Sequence, residues 1–259
     1  MNIKNELVGI LAVWYREFKV FLREKSRIVG SIVTPVLWLL IFGGGLGSSV
    51  SISGLNYQAF IFPGILTQSV LFSSVFFGVY IVWDRKVDFL KEVLVAPISR
   101  TSIFLGKVIG GTTDAILQSL ILLAIGWLFG QLGVIPGLHI TLVSFLLALL
   151  VLFFTAAALV SIGLIVGSRM ESPEGFQLIS SFLIFPLFFL SGALFPIDNL
   201  PGWLAPFTFL NPITYCVDAL RNVILGSAQF SLAYDLGIMA IFTVVVIAIG
   251  TYAFKKMKV

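Results

Sequence analysis

Apolar residues fill this chain in long runs, and polar residues gather in a few short segments between them. A membrane span needs about 20 apolar residues to cross about 30 Å of hydrocarbon. Six runs reach that length: residues 28–47, 59–83, 102–130, 140–167, 177–195 and 232–254. Three other segments carry a pattern without being spans. In the first 27 residues, Leu7, Ile10, Leu11, Trp14, Phe18, Phe21 and Leu22 recur at helical spacing, with Arg16, Lys19 and Arg23 mostly off that stripe. This predicts an amphipathic helix lying in the membrane interface, with Trp14 at headgroup level. In "DRKVDFLKEVLVAPISR", residues 84–100, Val87, Leu90 and Leu94 share one helical side, while Arg85, Asp88 and Glu92 share another. Pro97 cannot continue a helix and biases Ala96 away from helical geometry, so a helix of two to three turns is expected here.

The third segment, 196–230, is too apolar for an exposed loop and is cut by Pro196, Pro201, Pro206 and Pro212. Irregular backbone at membrane depth is tolerated only where protein or a water-filled cavity covers it. The pattern therefore predicts external re-entrant or interfacial half-helices, one of them from Ile213 to Leu225. Pro186 is expected to kink the fifth span just before this region.

Composition agrees with the pattern. The 259 residues are 59% hydrophobic and 11% charged, and the mean hydropathy is +1.09, too little charge to cover a soluble domain. The expected fold class is an all-α integral membrane protein of six transmembrane helices, a single domain over residues 1–259. Of the 16 Lys and Arg residues, all but Arg221 fall on one side of this six-span scheme. By the positive-inside rule that side is cytoplasmic and carries both termini. The net charge of +4 then reflects retention at the cytoplasmic face and not a nucleic-acid site.

Candidate chemistry is sparse. One Cys and one His give no disulfide, no metal cluster and little material for a nucleophile–base pair. The sole Gly-Lys pair, Gly106-Lys107, is followed by Val108 and has Thr101 where a P-loop needs its first glycine, so no ATP site of that type exists. Asp114 is the clear ionisable residue within a span, either a cavity-lining group or a satisfied residue near the membrane edge. Asp218 and Arg221 could pair at helical spacing or serve as caps and anchors. Five G-x-x-x-G pairs, at 43/47, 106/110, 126/130, 133/137 and 163/167, mark close helix packing at best. The acids Asp84, Asp88 and Glu92 disfavour an anionic leaflet as the partner of segment 84–101. A groove on a soluble protein suits this amphipathic helix better.

Three blocks now bear on family: "FLKEVLVAPISRTSIFLGKVIGG" (89–111), "FPLFFLSGALFPIDNLP" (185–201) and "LNPITYCVDALRNVILG" (210–226). In this order and spacing the chain resembles the permease subunits of type-2 ATP-binding-cassette exporters over nearly its whole length. The resemblance implies six spans, a homodimer or pseudo-dimer, and two P-loop ATPase subunits beneath the membrane that hold the ATP and Mg. It implies that the loop helix after the second span docks on the ATPase, through Asp84, Arg85, Val87, Asp88, Leu90, Lys91, Glu92, Leu94, Pro97, Ser99 and Arg100. It also implies an external half-helix bearing Asn211, Pro212, Tyr215, Asp218 and Arg221, and a substrate path lined by the first, second and fifth spans. Family substrates include drugs, lipids, lipid-linked glycans and ions; the apolar, aromatic spans favour an amphipathic or lipid-like one. The competing reading is an ion-coupled secondary transporter with Asp114 as its relay. A lipid-acting membrane enzyme would need a carboxylate or His cluster that the sequence lacks, and a structural role sits poorly with the broken segment after Pro196.

Overall fold

The computed structural model describes residues 3–47, 51–52, 54–88, 95, 97–197 and 200–257. Helix α1 (Ile3–Arg23) is followed after one residue by α2 (Lys25–Trp38), which continues through a π-helical turn (Leu39–Gly43) into α3 (Gly44–Gly47). Two two-residue strands, β1 (Ser51–Ile52) and β2 (Leu55–Asn56), pair antiparallel with Ser51 opposite Asn56. The other helices are α4 (Tyr57–Phe76), α5 (Val79–Lys86), α6 (Arg100–Gln131), α7 (Leu142–Arg169), α8 (Pro173–Phe189), α9 (Ala205–Leu210), α10 (Pro212–Leu225) and α11 (Leu232–Lys255).

Polar side chains at the run boundaries set most helix starts. Asn56, Ser99, Thr141, Ser172, Asn211 and Ser231 each accept a hydrogen bond from an N–H of the first turn, and Pro173 and Pro212 follow two of them. Each cap satisfies a donor that would otherwise be orphaned at a helix end. Gly226, at φ +67°, ends α10 in the left-handed conformation that glycine adopts without strain.

Among the described residues, five segments are long and apolar enough to cross a membrane: Lys25–Gly47, Tyr57–Lys86, α6, α7 and α11. The protein is an all-α membrane protein. The expected fifth span appears as α8, a shorter apolar helix that starts at Pro173 instead of 177 and ends at Phe189 instead of 195. The helix runs through Pro186 and stops one turn later, and the chain then reverses at Gly192, φ +74°.

Helix α4 is the axis of the molecule, buried along most of its length against α6, α7 and α10. Glycine permits the closest approaches. A Cβ at Gly78, Gly163 or Gly167 would overlap backbone of the facing segment: Gly163 for the first, Val75 and Gly78 for the others. The 163/167 pair thus seats α7 directly on the α4–α5 junction. The 106/110 pair seats α1, 126/130 meets Phe62 and the Leu138 carbonyl, and 43/47 meets Gln58 and Asn56. Only 133/137 serves a turn, both residues having positive φ.

The first helix departs from expectation. Its sequence stripe divides into two faces. Gly9, Ile10, Val13, Glu17 and Phe21 turn inward, and Ile10, Val13 and Glu17 rest on Gly106 and Gly110 of α6. Leu7, Leu11 and Leu22 are exposed. Trp14 donates its indole N–H to Thr113 Oγ1 at 3.1 Å, so it is anchored to α6 and not held by headgroups alone. At about 1.5 Å per residue the 32 residues of α6 reach about 48 Å, well over a 30 Å hydrocarbon core. Helix α1 packs along the first turns of α6.

Candidate functional site

Two features combine chemistry with position. The first surrounds the segment 84–100. Where α5 ends, Asp84 is buried and accepts hydrogen bonds from Lys107 Nζ at 2.8 Å and from Arg16 Nη2 at 2.7 Å. Lys107, 1% exposed, also donates to Glu17 Oε1 at 2.8 Å, and Arg16 donates to the same oxygen. Two cations and two carboxylates thus lock α1, α5 and α6 together. Such a cluster survives burial only because every charge has a partner of opposite sign.

Arg85, the next residue, donates to the carbonyls of Ser168 and Met170, both at 2.8 Å. These are orphan acceptors at the C-terminus of α7, where the helix dipole also favours a cation. The far root of the segment repeats the device. Arg100 donates to the carbonyls of Lys255 and Met257, at 3.2 and 2.6 Å, capping α11. Glu6 of α1 accepts from Ser99 N and from the hydroxyls of Ser99 and Ser102. The Ser102 and Ser99 hydroxyls hold its carboxyl below the usual carboxylate range. The segment is therefore clamped at both roots, to α1, α6, α7 and α11.

The second feature is a groove of about 460 Å³ between α2, α4 and α8, with α6 behind it. Trp38, Phe72, Phe76 and Phe185 form its apolar walls, and Arg27, Gln68, Ser69, Ser73 and Gln118 bring polar groups into it. Gln118 is fully buried, and neither of its amide atoms has a partner among the described residues. At one end, Arg27 donates to the Tyr80 hydroxyl, which donates to Glu24. Asp114 lies 3.8 Å from the Arg27 guanidinium.

The profile of the ABC-2 type transporter matches residues 8–225. The chain belongs to the ABC-2 type transporter family. It is 29% identical over 250 residues to nodulation protein J of Rhizobium meliloti (strain 1021), covering 95% of this chain and 92% of that one. It is 28% identical to the inner membrane transport permease YadH of Escherichia coli (strain K12), over 92% and 91% of the two chains. A putative transport permease ycf38 of Cyanophora paradoxa is 28% identical over 92% and 86%. The clamped segment and the groove both belong to an ABC-2 transporter permease with several membrane helices.

Within this permease the sequence-predicted residues divide. Asp84 and Arg85 sit on α5, continuous with the second span, and both are engaged by the permease's own helices. They anchor the segment to α1, α6 and α7. Nor does one helix run from 84 to 96: α5 ends at Lys86, and Asp88 takes the left-handed conformation, φ +58°, that stops it. Val87 and Pro97 are exposed, and Ser99 and Arg100 belong to the distal clamp. Leu90, Lys91, Glu92 and Leu94 lie outside the described residues. Asp114 is not isolated in the span but faces Arg27.

The residues expected on an external half-helix are brought together. Asn211 caps α10 and donates to the Leu187 carbonyl at 2.7 Å, with Pro212 opening the helix. Tyr215 donates to the Phe209 carbonyl, and Asp218 accepts from the backbone N–H groups of Gln229 and Phe230. Arg221 donates to the Gly192 carbonyl at 2.6 Å and stacks over Phe60 at 3.9 Å. Asp218 thus ties down the loop before α11, and Arg221 anchors α10 to the turn at Gly192. The residues that sequence reasoning missed are Glu6, Arg16, Glu17, Arg27, Gln68, Lys107 and Gln118. Lys107 carried a readable signal, a lone cation among small and apolar residues flanked by Gly106 and Gly110.

Proposed function

We propose that this permease is the membrane-spanning subunit of an ATP-driven exporter, powered by a separate P-loop ATPase that carries the ATP and Mg. The observation that carries the reading is the double clamp. A loop meant to receive force from outside must pass it to the spans without yielding, and salt-bridged and helix-capping roots do that better than a free hairpin. Charge distribution supports the orientation: the clamped segment, the end of α7 and the end of α11 meet at one face, rich in Lys and Arg, which we assign to the cytoplasm with both termini. Counting α8, whose 17 residues reach about 26 Å, gives six spans in the cell membrane, and the even number agrees with that orientation.

In this reading two copies of the permease face each other across the groove, and ATP-driven closure of the two ATPase subunits alternately opens it. Membrane lipid covers the exposed apolar faces of α7, α8 and α11. The cargo is an amphipathic, lipid-like, drug-like or glycan-bearing molecule. The residues that would meet the ATPase are Val87, Leu90, Lys91, Glu92, Leu94 and Pro97. Ion coupling through Asp114, which lies 3.8 Å from Arg27, is the competing reading; it predicts transport that collapses with the ion gradient and persists without the ATPase.

The test uses the reconstituted complex. Replacing Leu90 and Glu92 together by Ala leaves the complex assembled and hydrolysing ATP but stops transport, and the permease alone hydrolyses none. Normal pumping by the double variant, or ATPase activity of the single chain, contradicts the proposal.

A further inference from the structure

Helix α1 ends one residue before the first span and carries a large apolar face on its outer side. Leu7, Val8, Leu11, Tyr15 and Leu22 are each more than half exposed. At about 100° per residue these five fall within about 100° of arc, on the far side from Ile10, Val13 and Glu17, which rest on α6. Exposed Lys19 and Arg23 continue the arc along one edge. The two acids of α1 are turned the other way. Glu6 accepts from the hydroxyls of Ser99 and Ser102. Glu17 is buried and accepts from Arg16 and Lys107. The outer face thus combines apolar area with charge of one sign.

We propose that the outer face of α1 binds anionic phospholipid. Its five apolar side chains enter the acyl chains, and Lys19 and Arg23 reach the headgroup phosphates. Charge complementarity selects the occupant: an anionic leaflet attracts basic segments and repels acidic ones, and here both acids are sequestered by the permease itself. Continuity with the span supports the same occupant. Only Glu24 separates Arg23 from Lys25, where the first span begins, so the cationic end of the face lies where headgroups are. Lys19 Nζ sits 4.4 Å over the Tyr15 ring. A long cationic side chain laid along an apolar surface, with its charged head at the edge, is suited to a membrane interface, as is an aromatic ring with a polar tip. The proposal holds whatever the cargo.

The test uses the complete transport complex in nanodiscs of phosphatidylcholine and phosphatidylglycerol, in a Cys216→Ser background. A nitrobenzoxadiazole fluorophore is attached at Leu11→Cys, on the outer face of α1, or at Leu146→Cys, on the exposed face of α7. Either lipid in turn carries brominated acyl chains. Quenching against its mole fraction gives the association constant of phosphatidylglycerol relative to phosphatidylcholine at each position. Both positions are quenched, and the relative constant is about fivefold or more at Leu11→Cys and near one at Leu146→Cys. Lys19→Gln/Arg23→Gln brings the first value to near one, as does high salt, while Lys19→Arg/Arg23→Lys keeps the preference. If Leu146→Cys is quenched and Leu11→Cys is not, the outer face of α1 does not meet lipid and the proposal fails; a shift of the Leu11→Cys emission on removing the ATPase would then assign the face to that subunit. Equal affinity for the two lipids at Leu11→Cys, or a preference that survives loss of both cations, also overturns it. No quenching at either position overturns the membrane placement of α7 as well.

Discussion

Lys107 illustrates how a single residue holds this end of the permease together. Its buried ammonium donates to two carboxylates, Glu17 and Asp84. Lys107→Met leaves both acids buried beside Arg16 alone and is expected to cost about 3–5 kcal/mol, the usual penalty for breaking a buried pair. Adding Glu17→Gln and Asp84→Asn removes the orphaned charges and recovers part of the loss, measured as the thermal midpoint in detergent. If the single and triple variants melt together, the cluster is not the anchor described here. Glu6 gives a pH signature at the other root. Its folded pKa is depressed by the Ser102 and Ser99 hydroxyls. Its contribution is therefore full above the unfolded value of about 4.3 and is lost as pH falls through the lower folded value. The stability gap between the wild type and Glu6→Gln is open at neutral pH and closes in acid. A gap independent of pH would contradict the hydrogen-bonded carboxylate.

At the scale of elements, helix seats depend on missing side chains. Gly163→Leu drives atoms into the Val75 carbonyl, where no rotamer change gives relief. It destabilises by about 1–3 kcal/mol or more, whereas Gly202→Leu, with nothing near its Cβ, leaves the melting midpoint unchanged. Equal midpoints for the two would refute the tight α4–α7 seat. Much at this scale was legible in the sequence. Run length located the five segments long and apolar enough to cross a membrane, and Pro212, just before the expected 213–225 helix, located the start of α10 to within a residue. The two faces of α1 were not legible, because Leu7 and Ile10 look alike in an apolar stripe. What separates them is the glycine seat on α6, nearly one hundred residues away. The end of α5 was also missed: Val87, Leu90 and Leu94 keep perfect helical spacing, but Asp88 adopts a left-handed backbone that periodicity does not register. The groove was hidden for a related reason. Gln68 and Gln118 sit in different spans, and only tertiary packing brings their amides to one cavity.

For the whole molecule, we propose that force entering at residues 87–97 reaches the groove because both roots of that segment are fixed to other helices. Arg85 and Arg100 are the residues that tie it to α7 and α11. Replacing both by Ala frees these ties without touching the groove or the residues proposed to meet the ATPase. The decisive measurement is the maleimide labelling rate of Ser73→Cys, inside the groove, in a Cys216→Ser background with the complete complex in proteoliposomes. Rates are compared without nucleotide and with a trapped, non-hydrolysable ATP analogue. Nucleotide is expected to change the rate several-fold in the parent and to leave it unchanged in Arg85→Ala/Arg100→Ala, while the ATPase still binds. An undiminished nucleotide effect in that variant would contradict the clamp as the route of coupling.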